Sequence, residues 1–351
     1  MKRFDYIDLA KGLGMLTIIW GHIHSGASTH ILYAFHIPLF FFLSGLVFSP
    51  ERYDCFKTFL ARRWKSLLFP YIVFSVFTWL IWAAYSHVSH AEVDSYLKPL
   101  LETFLAQGSE GYLVHNVPLW FVTCLFVVEV LYFFIAKLPV YANIATCTLL
   151  GALGVWMSVS PIDFSTLPWS VDVAFAALPF YALGHLLVQK TGHERLMGVV
   201  TQHRISALAV LAIATFLLIL GGLKNSQVSM GHAVLGDQPW LFYPVALCGI
   251  TAFMVLCLLI VSYERLRRNR ITEAAIGFGK TSFRAMAVHN PIKGFLLVLL
   301  AKAMHSSVSV LQTGVAGSLA AFVLTVTATW LVIKGIEVFL HLVFHRNSIL
   351  P

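Results

Sequence analysis

Residues 8–22 read Asp8-Leu9-Ala10-Lys11-Gly12-Leu13-Gly14-Met15-Leu16-Thr17-Ile18-Ile19-Trp20-Gly21-His22, an apolar run broken by three ionisable side chains. At about 100° per residue, Lys11 and His22 lie three turns and about 20° apart, and Asp8 lies about 60° from Lys11. All three share one face. His22 stands about 16 Å beyond Lys11 along the axis. A charged stripe of that length cannot face lipid, so it is expected to line a bundle interior or a wet passage.

The rest of the chain sets that stripe in a membrane. Of 351 residues, 58% are hydrophobic and 11% charged, against roughly 25% charged in a soluble domain. Mean hydropathy is +0.80. A disordered chain, a disulfide scaffold and a cytosolic enzyme are excluded. Helical spans of about 20 residues are predicted at 7–25, 31–49, 67–86, 117–136, 141–158, 170–189, 205–222, 241–261, 281–303 and 313–340. No small-residue cleavage site follows the first, so it is expected as a retained span. The fold class is all-α: a polytopic membrane bundle of about ten helices, read as one integral-membrane unit over residues 1–351. No internal repeat or linker divides it.

Lys and Arg concentrate in cytoplasmic segments. With Lys2 and Arg3 inside, only Lys98, Lys224, Lys293 and Lys302 fall towards the outside, leaving 20 of 24 basic residues inside, down to Arg346. Both termini are therefore expected in the cytoplasm. The net charge of +8 is explained by topology and lipid contact, without nucleic acid. The five cysteines show no metal-ligand spacing, and no metal is expected.

The 15 histidines nearly equal the 16 acidic residues. His36, in Phe35-His36-Ile37-Pro38-Leu39-Phe40-Phe41-Phe42-Leu43-Ser44-Gly45, matches His22 in depth on the next, antiparallel span. Ser44-Gly45 reads as a small-residue packing contact. Helix nine repeats the geometry of helix one: Ser282, His289 and Lys293 fall within about 40° of one another. Lys334 and Glu337 are spaced as a structural ion pair. Glu129 stands where it could meet a cation of the inner side.

These residues resemble the membrane acyltransferase-3 family. Asp8, Lys11 and His22 are similar to its Asp-x-x-(Arg/Lys)-Gly…His opening, with Lys11 in place of the more frequent Arg. His36–Gly45 resembles the second helix of its fucose 4-O-acetylase-like branch. Arg62-Arg63-Trp64-Lys65 with Pro70-Tyr71, Leu119-Trp120-Phe121, Asp172…Pro179-Phe180-Tyr181…Gly184 and Gly277-x-Gly279-Lys-Thr-Ser282…His289 follow in the family's order.

The resemblance implies acetyl transfer from cytoplasmic acetyl-CoA to a hydroxyl of a glycan or lipid-linked sugar, in the inner membrane. Some members carry an esterase-like domain; here direct transfer is expected. Lys11, Arg62, Arg63 and Lys65 are candidates for the donor's phosphates and pantetheine arm, or serve topology and lipid headgroups. His22 is the candidate general base or transient acetyl carrier; His36, His289, Asn290 or Trp120 is the candidate donor to the thioester oxygen; Asp172 is a candidate to orient a histidine or bind sugar hydroxyls, or is a surface carboxylate. Trp120, Ser282, His289 and Lys293 are candidates for the acceptor side, Lys293 alternatively snorkelling to headgroups. A transporter or flippase for a polar substrate, and the same catalyst with a longer donor such as succinyl-CoA, are the alternatives.

Overall fold

In the computed structural model, residues 4–88, 92–107, 113–165 and 167–345 are described; Lys2, Arg3 and Arg346 lie outside them. The charged first span becomes α1 (Asp5–Ile23), buried around its whole circumference. It is enclosed by the second span, split into α2 (Ala27–Tyr33) and α3 (His36–Leu46), and by α12 (Phe242–Ser262), α14 (Arg270–Lys280), α15 (Ser282–Ala303) and α17 (Val315–His345). α1 is thus enclosed by other helices of the bundle.

The outer shell is apolar for the opposite reason. In α11 (Arg204–Lys224), Ile205, Leu208, Ile213 and Phe216 point away from the protein, as a lipid-facing helix requires. Among the described residues, nine helical stretches are long and apolar enough to cross a membrane. With α1, whose Asp5, Asp8 and Lys11 make it too polar to be counted, they correspond to the ten predicted spans. α7 (Trp120–Ile135), α8 (Val140–Val159) and α9 (Val171–Thr191) complete the set.

Two spans differ from expectation. The second is broken at Ala34–Phe35, where Pro38 occupies the first turn of α3. A proline fits there because it has no N–H to offer the preceding helix. The third begins earlier than predicted, as α4 (Phe56–Arg63), passes through a five-residue π turn (Trp64–Leu68) and continues as α5 (Phe69–Val88). Its basic first turns hid it from a hydropathy reading. Pro70 leaves the Ser66 carbonyl without its α-helical donor, and the wider turn closes with Phe69 N–H donating to Trp64 O.

Short helices decorate both ends of the bundle: α6 (Leu97–Leu105) and α16 (Val308–Thr313) at the end where α1 finishes, termed outer, and α10 (His193–Gln202) and α13 (Glu264–Arg267) at the basic end where α1 begins, termed inner. The outer segment before α12 folds as a small antiparallel hairpin, β1 (Val228–Ser229) paired with β2 (Val234–Leu235). The predicted Lys334–Glu337 pair forms at 2.8 Å, and Arg284 joins it at 2.9 Å, tying α17 to the start of α15.

Glycine sets the two closest crossings. A Cβ on Gly12 would lie 1.9 Å from Ala275 O, and one on Gly279 would lie 1.7 Å from Asp8 O. Backbone-to-backbone contact thus locks α14 across α1. In the same way Gly45 and Gly184 would meet Tyr181 O at 2.0 Å and Phe42 O at 2.2 Å, joining α3 to α9. Small residues let membrane helices approach this closely. Gly277, two residues from Gly279, has nothing within 4 Å of its added Cβ. Gly279→Val should therefore cost about 1–3 kcal/mol or more and lower the thermal unfolding midpoint in detergent. Gly277→Ala should leave it unchanged or slightly raised.

Candidate functional site

The stripe on α1 opens onto one cavity of about 730 Å³. Lys11, Met15, Ile18 and His22 line it at successive turns, and Ser282, Met286, Asn290 and Lys293 of α15 line it with the same helical spacing. The inner end holds Lys11, Arg52 and Arg63. The outer end holds His22, His36, Trp120, Lys293 and the hairpin residues Ser229–His232. The lining carries four Lys or Arg side chains, at 11, 52, 63 and 293, and one carboxylate, Glu129.

That carboxylate is engaged at the inner end. Arg63 Nε stands 2.8 Å from Glu129 Oε2, an ion pair by distance rather than an aligned hydrogen bond. Tyr181 donates its hydroxyl to Glu129 Oε1 at 3.3 Å. Arg63 also lies over the Tyr53 and Phe59 rings. A buried pair of this kind fixes geometry more than it adds stability.

The histidines are prepared at the outer end. His36 Nδ1 donates to Leu32 O at 2.7 Å, and His289 Nδ1 donates to Ala285 O and Met286 O at 3.1 and 2.9 Å. A carbonyl can only accept, so both neutral rings carry the proton on Nδ1 and a lone pair on Nε2. His289 Nε2 is buried without a hydrogen-bond partner. Its ring lies against His22, with centroids 5.5 Å apart.

A proline positions this turn of α15. Pro291 has no N–H for the carbonyl of Ala287, and Asn116, fully buried before α7, donates Nδ2 to that carbonyl at 2.6 Å. The brace ties the His289–Lys293 turn to the segment carrying Trp120.

The structure brings Lys11, His22, His36, Arg63, Trp120, Ser282 and Lys293 to one cavity and His289 directly behind its wall. It does not bring Arg62, Lys65 or Asp172. Arg62 and Lys65 are exposed and do not line the cavity, although Arg62 lies over the ring of Tyr53. Asp172 sits two residues past the left-handed Trp169–Ser170 pair. There it accepts from the Val173 amide and borders a separate, water-sized cleft beneath Met230, Ala233 and Leu235 of the hairpin. Its place is under the hairpin, outside the cavity.

Sequence reasoning missed Arg52, Ser229, His232 and Asn116 as site residues. Arg52 was visible as a basic residue of the right segment. The hairpin carried no motif. Asn116 could be found only by asking which group satisfies the carbonyl that Pro291 strands. His115 beside it is buried with neither ring nitrogen hydrogen-bonded, and burial pushes its imidazole down to about 4. Among the described residues no His, Cys, Asp and Glu group could hold a metal ion.

Residues 4–334, nearly the whole chain, match the family described as an acyltransferase domain. The chain belongs to the acyltransferase-3 family. Nodulation protein NolL of Mesorhizobium japonicum is 25% identical over 244 residues, covering 66% of this chain and 60% of that protein. The match thus spans less than two thirds of that relative's length. No solved structure matches.

The residues that carry the family resemblance divide into two duties. Gly279, Gly45 and Gly184 allow helices to touch, while Lys11, His22, His36, Trp120 and Ser282 face the cavity.

The proline brace is testable by a double-mutant cycle. Asn116→Ala strands a buried carbonyl and should cost about 1–3 kcal/mol. In Pro291→Ala the restored N–H can serve Ala287 O, so adding Asn116→Ala should cost much less. Equal losses in both backgrounds, measured by thermal unfolding, would remove the brace from the account.

Proposed function

We propose that the protein is a membrane O-acetyltransferase, of the kind the fucose 4-O-acetylase-like branch represents. It would move an acetyl group from cytoplasmic acetyl-CoA to a hydroxyl of a cell-surface or lipid-linked glycan. The observation that carries this reading is the single cavity that joins three inner cations to a histidine cluster at the outer end. Both termini then face the cytoplasm of the inner membrane, and the arginine-rich mouth meets the donor.

At that mouth Arg52, Arg63 and Lys11 attract the donor's phosphates; planar guanidinium forks match phosphate oxygens and Lys adds a point charge. The pantetheine arm then follows the apolar wall past Met15 and Ile18 towards His22. Their positions suit an uncharged thiol arm between two polar ends.

The chemistry is written for direct transfer. His22 takes the proton from the acceptor hydroxyl as its oxygen attacks the thioester carbonyl carbon. A C–O bond forms, the C–S bond breaks, and the proton passes from imidazolium to the departing thiolate, giving acetyl ester and free CoA. His289, in ring contact with His22 and holding an unused lone pair, is placed to accept the N–H of His22 and orient it. His36 and His289 present lone pairs, so as neutral rings they do not donate to the carbonyl oxygen as it gains charge. That duty falls to an N–H donor on the lining, Asn290 or Trp120.

In nanodiscs with labelled acetyl-CoA, His22→Ala should lower acetyl transfer by about 10²–10⁴-fold with little change in the KM for acetyl-CoA. Arg52→Ala should raise that KM and spare kcat. Full activity in His22→Ala, with loss in His36→Ala, would move the base to His36. No CoA release from the wild type with any glycan would defeat the reading.

A further inference from the structure

Lys293 sits in a place where a lysine is costly. It lies midway along α15, eleven residues from Ser282 and ten from the end of the helix at Ala303. Ten residues span about 15 Å, beyond the reach of its four-carbon stem, so it cannot snorkel to outer headgroups along its own helix. Its side chain lines the cavity instead.

Among the described residues no carboxylate stands within ion-pair distance of Lys293. Among the described residues the one acidic side chain on the cavity wall, Glu129, is nine residues inward of Trp120 on α7, about 13 Å along the axis, and is held by Arg63. A cation at membrane depth is normally paired or reserved for a substrate. Here no described residue supplies a carboxylate partner.

The surroundings complete a site for a charged sugar. Asn290, one turn inward on the same wall, turns an amide to the cavity, and Trp120 forms the opposite rim under Gly231 of the hairpin. His232 and Ser229 cap the outer end, hydrogen-bonded to each other at 2.6 Å through Nδ1 and Oγ. An aromatic face, an amide and a hydroxyl–imidazole pair suit sugar carbons and hydroxyls. The ammonium suits an anion.

We propose that Lys293 receives an anionic group of the acceptor, a phosphate ester or a carboxylate, and so selects acidic glycans or glycosyl phosphates over neutral ones. This rests on the reading of the outer end as the acceptor's entrance. It also fixes a distance. Lys293 lies one turn, about 6 Å, outward of His289 and its neighbour His22, so the hydroxyl that is acylated lies on the same sugar as the charge or on the next one.

The test is binding without acetyl-CoA, which separates it from any failure of acyl transfer. Glucose 1-phosphate, glucuronate and methyl glucoside are titrated against the detergent-solubilised full chain by saturation-transfer NMR. At least one anionic probe should bind tenfold or more tightly than methyl glucoside, and the stronger of the two distinguishes phosphate from carboxylate. Lys293→Gln should erase that tenfold preference, about 1.4 kcal/mol, with methyl glucoside within twofold of wild type. Lys293→Arg should keep it, and Arg52→Met at the inner end should not alter it. A wild type without preference, equal weakening of all probes in Lys293→Gln, or a preference that follows Arg52 would overturn the proposal. Melting temperatures of both Lys293 variants, expected within a few degrees of wild type, show that loss of binding is not loss of fold.

Discussion

A polar helix inside a bilayer must be surrounded by protein, and the architecture follows from that demand on α1. Asp8, Lys11 and His22 cannot be left to lipid, so α1 becomes the axis and the more apolar helices become its wrapping. The glycine crossings serve the same end. Gly12 and Gly279 bring α14 into backbone contact with α1, which leaves no room for hydrocarbon beside the charged turns. With α1 central, its stripe must open onto an internal space, and that space is the cavity.

The cavity keeps its charges apart. Lys11, Arg52 and the Arg63–Glu129 pair occupy the inner end, while the histidines and Lys293 occupy the outer end, with Met15, Ile18 and Phe40 between them. An apolar middle section isolates the two ends electrostatically and fits a ligand that is charged at one end and reactive at the other. Irregular backbone occurs where it can be tolerated. The break before His36, the Pro291 turn of α15 and the hairpin all face the cavity or are buried in protein, as membrane-depth backbone requires.

Much of this was legible in the residues. The stripe Lys11–His22 and the pair Ser282–Lys293 could be placed by helical period alone, because an α-helix repeats its faces strictly and both stretches are long. Span positions were legible for the same reason, apart from the third, whose first turns are basic. Three features were not legible. Arg62, Arg63 and Lys65 are neighbours in sequence, but only Arg63 lines the cavity; successive helical residues stand about 100° apart, and composition does not say which of three basic neighbours faces inward. Asp172 shared the outer depth of the histidines, yet depth says nothing about azimuth, and α9 carries it beneath the hairpin. The hairpin and Asn116 depend on contacts between segments far apart in the chain, 171 residues in the case of Asn116 and Ala287.

The central claim is that one cavity joins a donor on the arginine-rich side to an acceptor on the other. Proteoliposomes of uniform orientation, loaded with labelled acetyl-CoA on the arginine-rich side and given glycan acceptor only on the opposite side, test it most directly. The account predicts labelled acetyl ester on the acceptor side and free CoA on the donor side. Transfer that occurs only when both substrates share one face of the membrane would contradict it.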